Sequence, residues 1–353
     1  MKKLAIALLA GTLFTGAAQA ADWFPYPAAE VTPAFSADGT SKDIDYVPLD
    51  KASKPWNVCV SFPHMKDAYW LGVDYGVTEE AKRLGVKLNV VEAGGYTELP
   101  KQISQIEDCV ASGAQAVVIG AISYDGLNNL VKELAEKKIP VIDVINGISS
   151  PELAAKSLVS FYTMGSETGK YLAAKHPAGS APVKVGWFPG PAGAGWVEAA
   201  HKGFMDAVKG SAVQVPEPRY GDTGKEAQLR LVEDVLQATP DVAYIAGTAV
   251  TAEAAQGLLR ERGLTDKVGI LAFYMTPGVY QGIRRGFIEA APADSMVIQG
   301  RIAVDQAVRI LEGKDYVKHV GPKIFVVDQK NIGKVARESI LPPENFSPVF
   351  SVN

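Results

Sequence analysis

The stretch Trp56-Asn57-Val58-Cys59-Val60-Ser61-Phe62 is an almost unbroken apolar run, and soon after it Trp70, Val73, Val77, Ala81 and Leu84 recur at helical spacing before Gly85. Apolarity without alternation marks a strand buried on both faces of a parallel sheet. The three- to four-residue spacing marks an amphipathic helix, and Gly85 is its natural C-cap. The same pair then repeats down the chain. Val- and Ile-rich runs at 86–92, 116–122, 140–144, 183–188, 242–246, 268–273 and 324–327 predict strands. Between them, 99–112, 126–137, 165–175, 195–208, 224–238, 251–262, 277–285 and 296–312 predict helices. Such alternation predicts an α/β, doubly wound parallel architecture. A single core usually serves ~100–150 residues, so 353 residues predict two such sheets.

The N-terminal end differs in kind. Lys2 and Lys3 precede an apolar run at 4–14 and a small-residue site, Ala18-Gln19-Ala20, so 1–20 reads as a cleaved signal peptide and predicts export to the periplasm. That run is too short to cross a bilayer, which needs ~20 apolar residues. Residues 21–54 carry repeated prolines and the cluster Trp23, Phe24 and Tyr26, and predict an extended arm or small hairpin packed on the first lobe. A formal net charge of −4, with no basic block, argues against nucleic acid as a partner. Cys59 and Cys109 could pair in an oxidising compartment, or remain two separate buried thiols. The histidines, His64, His176, His201 and His319, are scattered and predict surface or helix-end positions; no zinc spacing, nucleophile elbow or cofactor loop occurs, so neither a metal, a cofactor nor an enzyme is expected.

In doubly wound folds ligands bind beyond the carboxyl ends of the strands. The corresponding loops, 63–70, 93–96, 123–125, 160–164, 190–196, 247–251, 274–276 and 294–296, are rich in rings. Tyr69, Trp70, Tyr96, Phe161, Tyr162, Trp196 and Tyr274 predict an aromatic box, which binds apolar or quaternary-ammonium-like groups at ~0.5–2 kcal/mol per cation–π contact. Polar groups there are few: Asp67, Ser123, Glu198, Thr248 and Asp294. Many rings and few polar groups suit a small ligand with one oriented hydrogen bond better than a sugar. Asp67 could equally cap the helix that follows it.

Several segments carry a resemblance: Lys66-Asp67-Ala68-Tyr69-Trp70-Leu71, Glu92-Ala93-Gly94-Gly95-Tyr96, Pro189-Gly190-Pro191, Ala246-Gly247-Thr248-Ala249 with Ala252-Glu253-Ala254-Ala255, and Met296-Val297-Ile298-Gln299-Gly300. From about Trp56 onward the chain resembles the type I periplasmic binding proteins, the ribose-binding and LacI-like superfamily, and within it the trimethylamine-N-oxide (TMAO) sensors. The resemblance implies two lobes joined by three crossover strands, placed near Phe161, Asp294 and Lys323. It divides the chain into 21–54 as arm, 55–160 with 295–323 as N-lobe, and 161–294 with 324–353 as C-lobe. Sugar-binding relatives carry an Asp where this chain has Tyr274, and an Arg about where it has Glu198; both changes remove partners for sugar hydroxyls. The resemblance further implies a TMAO-like ligand in an aromatic cage with Tyr69, Trp70 and Tyr274 among its walls. It also implies docking to the periplasmic domain of a sensor histidine kinase in a two-component system. Where these sensors have Trp before the crossover aromatic, this chain has Phe161, and it adds Trp196, a ring able to close the cage from the other lobe. The alternative is the solute-binding protein of an importer for a sugar or other small solute.

Overall fold

The computed structural model describes residues 23–36 and 39–353, so the signal-peptide expectation at 1–20 lies outside the described residues. The first sheet begins with the arm, a hairpin of β1 (Tyr26–Thr32) and β2 (Thr40–Tyr46). Its parallel centre comprises β3 (Asn57–Phe62), β4 (Lys87–Glu92), β5 (Ala116–Ile119), β6 (Val141–Val144), β7 (Ala155–Ser157) and β13 (His319–Pro322). With β15 (Ser351–Val352) the order is β15-β4-β3-β5-β6-β7-β13-β1-β2, in which β15, β1 and β2 run antiparallel to their neighbours. Its helices are α1 (Ala68–Leu84), α2 (Leu99–Ala111), α3 (Asn128–Glu136) and α9 (Met296–Leu311).

The second sheet comprises β8 (Val183–Phe188), β9 (Val213–Gln214), β10 (Val242–Gly247), β11 (Gly269–Ala272), β12 (Ala290–Ala293) and β14 (Phe325–Asp328). Its order is β14-β12-β11-β10-β8-β9, parallel except for β14. Around it lie α4 (Phe161–Lys175), α5 (Gly195–Val208), α6 (Lys225–Ala238), α7 (Ala249–Glu261) and α8 (Pro277–Arg284); a short α10 (Arg337–Ile340) follows β14.

The chain passes between sheets after β7, after β12 and after β13. It then passes a fourth time. The assignment of all of 324–353 to the second lobe fails at its end, because β15 pairs with β4 in the first sheet. Two further contacts pull the tail there: Asp74 Oδ2 accepts from Val349 N at 2.8 Å, and Phe346 packs edge-on against Tyr75 at 5.1 Å. The tail thereby covers an edge that would otherwise expose unpaired backbone.

Helix α1 shows how local chemistry sets the cleft. Asp67 is its N-cap and accepts from Tyr69 N at 2.9 Å, while Gly85 ends it at φ 75. Where α1 crosses α9, a Cβ on Gly76 would stand 2.1 Å from Val297 O and one on Gly300 2.6 Å from Val73 O, so only glycine permits the approach. The arm is fastened to the same helix pair. Trp23 Nε1 donates to Glu80 Oε2 at 2.9 Å, Arg83 and Arg301 pair with that buried carboxylate, and Tyr46 OH donates to Asp305 Oδ2 at 2.6 Å. Cys59 on β3 and Cys109 on α2 are joined as a disulfide, a second tie across the first sheet.

Candidate functional site

Between the carboxyl ends of the two sheets lies a cavity of about 290 Å³, mouth included, lined by Asp67, Tyr69, Trp70, Tyr96, Ile145, Asn146, Phe161, Trp196, Thr223 and Tyr274. Its enclosed space is small, so only a small ligand suits it. The rings form a branched chain of contacts. Tyr69 meets Trp70 at 6.0 Å and Tyr274 at 5.2 Å; Trp196 meets Tyr274 at 6.5 Å, Phe161 at 5.6 Å and Tyr96 at 6.0 Å. Trp196 thus reaches from the second lobe to Tyr96 of the first and stands beside Phe161.

Behind the rings most polar groups are paired, Asp294 Oδ1 and Gln299 Oε1 being the buried exceptions. Tyr274 OH donates to Asp67 Oδ2 at 2.6 Å, joining two loops 207 residues apart. Tyr69 OH donates to Asp294, which also accepts from Gln299 Nε2 at 2.8 Å. Burial lifts the Asp67 carboxyl to about 6, against the opposing effect of the Tyr274 and Tyr69 donors, and burial lifts Asp294 likewise to about 6. Burial, reinforced by these carboxylates, raises both tyrosine hydroxyls well above their ordinary range, so they stay protonated donors.

His64 departs from its expected surface position. It is 1% exposed in the β3–α1 loop, and its Nδ1 accepts from Lys66 N at 3.3 Å. Its Nε2 therefore carries the proton and faces Thr223 Oγ1 at 3.1 Å across the cleft. Burial lowers its pKa to about 4, so it is neutral at pH 7.

Five residues expected at the site do not line the cavity. Ser123 Oγ accepts from Gly126 N and closes a turn, a local use typical of Ser. Thr248 is the N-cap of α7, accepting from Thr251 N at 3.1 Å. Tyr162 is 39% exposed and donates to Asp206 on α5. Glu198 lies on the exposed face of α5, because helical twist turns it away from Trp196. Asp294 stands one layer back and reaches the cavity only through Tyr69.

Three lining residues were missed: Ile145, Asn146 and Thr223. Ile145 adopts φ 71, a left-handed conformation unfavourable for a β-branched side chain. The buried Asp143 sustains it, accepting from Gly147 N at 3.2 Å and Ile148 N at 2.8 Å with Lys156 Nζ 3.5 Å away. That turn delivers Asn146, whose Nδ2 donates to Tyr96 OH at 2.9 Å and Ala121 O at 2.7 Å. Neither Asn146 nor Thr223 belongs to a recognisable motif; only a turn-prone Asn-Gly after a buried strand hinted at the first.

Comparison with known proteins agrees with this geometry. Residues 58–315 match the family model described as the periplasmic binding protein domain. The chain is 37% identical over 326 residues to periplasmic protein TorT of Escherichia coli strain K12, spanning 90% of this chain and 93% of that one. Among solved structures it is similar to an ABC transporter solute binding protein from Bradyrhizobium sp. BTAi1 with bound bis-tris, at 77% identity and TM-score 0.82, covering 94% and 100% of the two chains. It is also similar to a chain of the TorS sensor domain–TorT complex in the presence of TMAO, at 34% identity and TM-score 0.76, covering 84% and 99%. A two-sheet fold, an inter-sheet cavity and a family match over most of its length lead to one conclusion: this chain belongs to the periplasmic binding protein domain family.

Proposed function

We propose that this protein is a periplasmic sensor component that closes on a small methylated amine, TMAO in the first instance, and that the periplasmic domain of a sensor histidine kinase reads the closure. The carrying observation is the cavity walled by Tyr69, Trp70, Tyr96, Phe161, Trp196 and Tyr274, with Asp67 at its wall. Ring faces attract a methylated, positively polarised nitrogen, whereas a sugar would leave its hydroxyls unpaired against them. The likeness to TorT, and to TorT bound to the TorS sensor domain with TMAO, supports the kinase partner. The Bradyrhizobium relative binds bis-tris, a polyhydroxylated tertiary amine, so a site of this fold accepts an amine nitrogen. Lobe closure becomes a signal because ligand binds the closed arrangement better than the open one. The protein acts by binding and carries out no reaction of its own.

A second reading, the solute-binding component of an importer, is favoured by the description of that same 77%-identical relative as a transporter protein. One experiment separates the two. The mature chain is co-purified with the kinase's periplasmic domain with and without TMAO, and TMAO uptake is measured in cells lacking the protein. A complex with the kinase domain, with or without TMAO, together with normal uptake supports the sensor; no complex in either condition and lost uptake supports the importer.

A further inference from the structure

The cavity is polarised. At its carboxyl end the groups that line it are engaged: Asp67 accepts from Tyr69 N and Tyr274 OH, and Tyr69 OH is bonded to Asp294, whose unpartnered Oδ1 lies one layer behind the cavity wall. At the other end donors remain unused. Trp196 is 5% exposed, lines the cavity, and its indole Nε1 has no hydrogen-bond partner. The Tyr96 oxygen accepts from Asn146, but among the described hydrogen bonds its own proton has no acceptor. With His64 Nε2 donating to it, the Thr223 hydroxyl proton has no acceptor among the described hydrogen bonds. These groups are neighbours: His64 packs against Tyr96 at 5.4 Å and Tyr96 against Trp196 at 6.0 Å, and the Trp196 indole N–H leans toward a Tyr96 oxygen already accepting from Asn146 without completing a hydrogen bond to it. A buried donor without an acceptor is unfavourable, and a ligand that supplies an acceptor there relieves it.

We propose that this donor corner, the Trp196 indole N–H with the Tyr96 and Thr223 hydroxyls, holds the oxygen of an amine N-oxide, so that Trp196 determines specificity for the ligand's acceptor oxygen rather than for its methylated nitrogen alone. The proposal rests on the cage reading above and adds a direction to it: oxygen toward Trp196, methyl groups against the remaining rings. A tetrahedral cation of the same size fits the rings equally well but leaves the donor corner unpaired. A site built to hydrogen-bond one ligand atom discriminates strongly against an analogue lacking it.

The test is calorimetry on the full mature protein with TMAO, tetramethylammonium and tert-butanol, near-isosteres that carry, respectively, an anionic oxygen on a cationic nitrogen, a cation without oxygen, and a neutral hydroxyl. It is repeated with Trp196→Phe and Tyr96→Phe, with melting curves to verify folding. TMAO should exceed tetramethylammonium by roughly tenfold to a hundredfold, the range expected for one buried donor left unpaired. Trp196→Phe should lose about that factor more for TMAO than for tetramethylammonium, which loses only the weaker ring contact. Equal or tighter binding of tetramethylammonium, or equal weakening of both ligands by Trp196→Phe, would overturn the proposal while the cage reading stands. Failure of every methylated probe to bind the parent protein would overturn both. If Trp196→Phe does not fold, the same pair of outcomes is read from Tyr96→Phe.

Discussion

Removing one oxygen atom, in Tyr274→Phe, isolates the hydrogen bond that spans the two sheets. The ring stays, with its 5.2 Å edge contact to Tyr69, and only the 2.6 Å donation to Asp67 Oδ2 is lost. A hydrogen bond to a charged group contributes ~1.5–3 kcal/mol when its partner would otherwise be buried and unpaired. In the open arrangement both groups meet water, so the loss falls on the closed one. Closure should therefore weaken by ~1–2 kcal/mol, roughly five- to thirtyfold in the closed-to-open ratio. Apparent affinity falls by the same factor if only the closed state binds. The effect carries a pH signature. Asp67 sits at about 6, so its carboxylate is the ionised acceptor at pH 7.5 and largely protonated at pH 5. The Tyr274→Phe deficit should be full at pH 7.5 and should shrink at pH 5, where a neutral acceptor contributes less. Calorimetry with TMAO at the two pH values measures it, and small-angle scattering reports the lobe separation directly. Parental affinity and scattering at both pH values would refute the idea that this contact helps hold the lobes together.

Asp74 is buried, and desolvation lifts it to about 7 against an ordinary 3.8. A raised carboxyl pKa means the folded state keeps its proton while the unfolded state loses it, so this group's contribution to stability falls as pH rises from about 4 to 7. Asp74→Asn, which keeps an acceptor for Val349 N, should gain about 2–4 kcal/mol at pH 8 and little at pH 4 in urea titrations; a gain that does not change with pH would contradict this. Reducing the Cys59–Cys109 bridge frees a loop with sequence separation 50, which the chain-entropy relation values at about 4 kcal/mol. The melting temperature should drop with dithiothreitol while ligand affinity is retained, since neither cysteine lines the cavity.

What was legible in the chain follows from which interactions are local. β3, β5, β6, β8, β10 and β11 announced themselves because burial on both faces demands apolar runs, β4 and β14 because Val-rich stretches remain where one face is open, and α1 through α9 because one face of each repeats at helical spacing. β1, β2, β12 and β15 are different. Ala290-Ala291-Pro292-Ala293 and the polar Thr40–Tyr46 have no strand-like pattern of their own, and they become strands only because a neighbour at the sheet edge offers backbone partners. The site divides along the same line. Asp67, Tyr69, Trp70, Tyr96, Phe161, Trp196 and Tyr274 were legible because a doubly wound fold sends its strand-end loops to one place, and rings there exceed what packing needs. Ser123 and Thr248 lie in those loops and Glu198 just past one, in α5, but turn geometry, capping and helix twist point them elsewhere. The sequence by itself determined the alternation of elements, the aromatic character of the cleft and the family. Only the tertiary structure decided that Asn146 and Thr223 join the cavity, that His64 and Tyr274 reach across it, and that the C-terminal tail returns to the first sheet. Those contacts join residues far apart in the chain, and which of many plausible partners meet is settled by the packing of the two sheets.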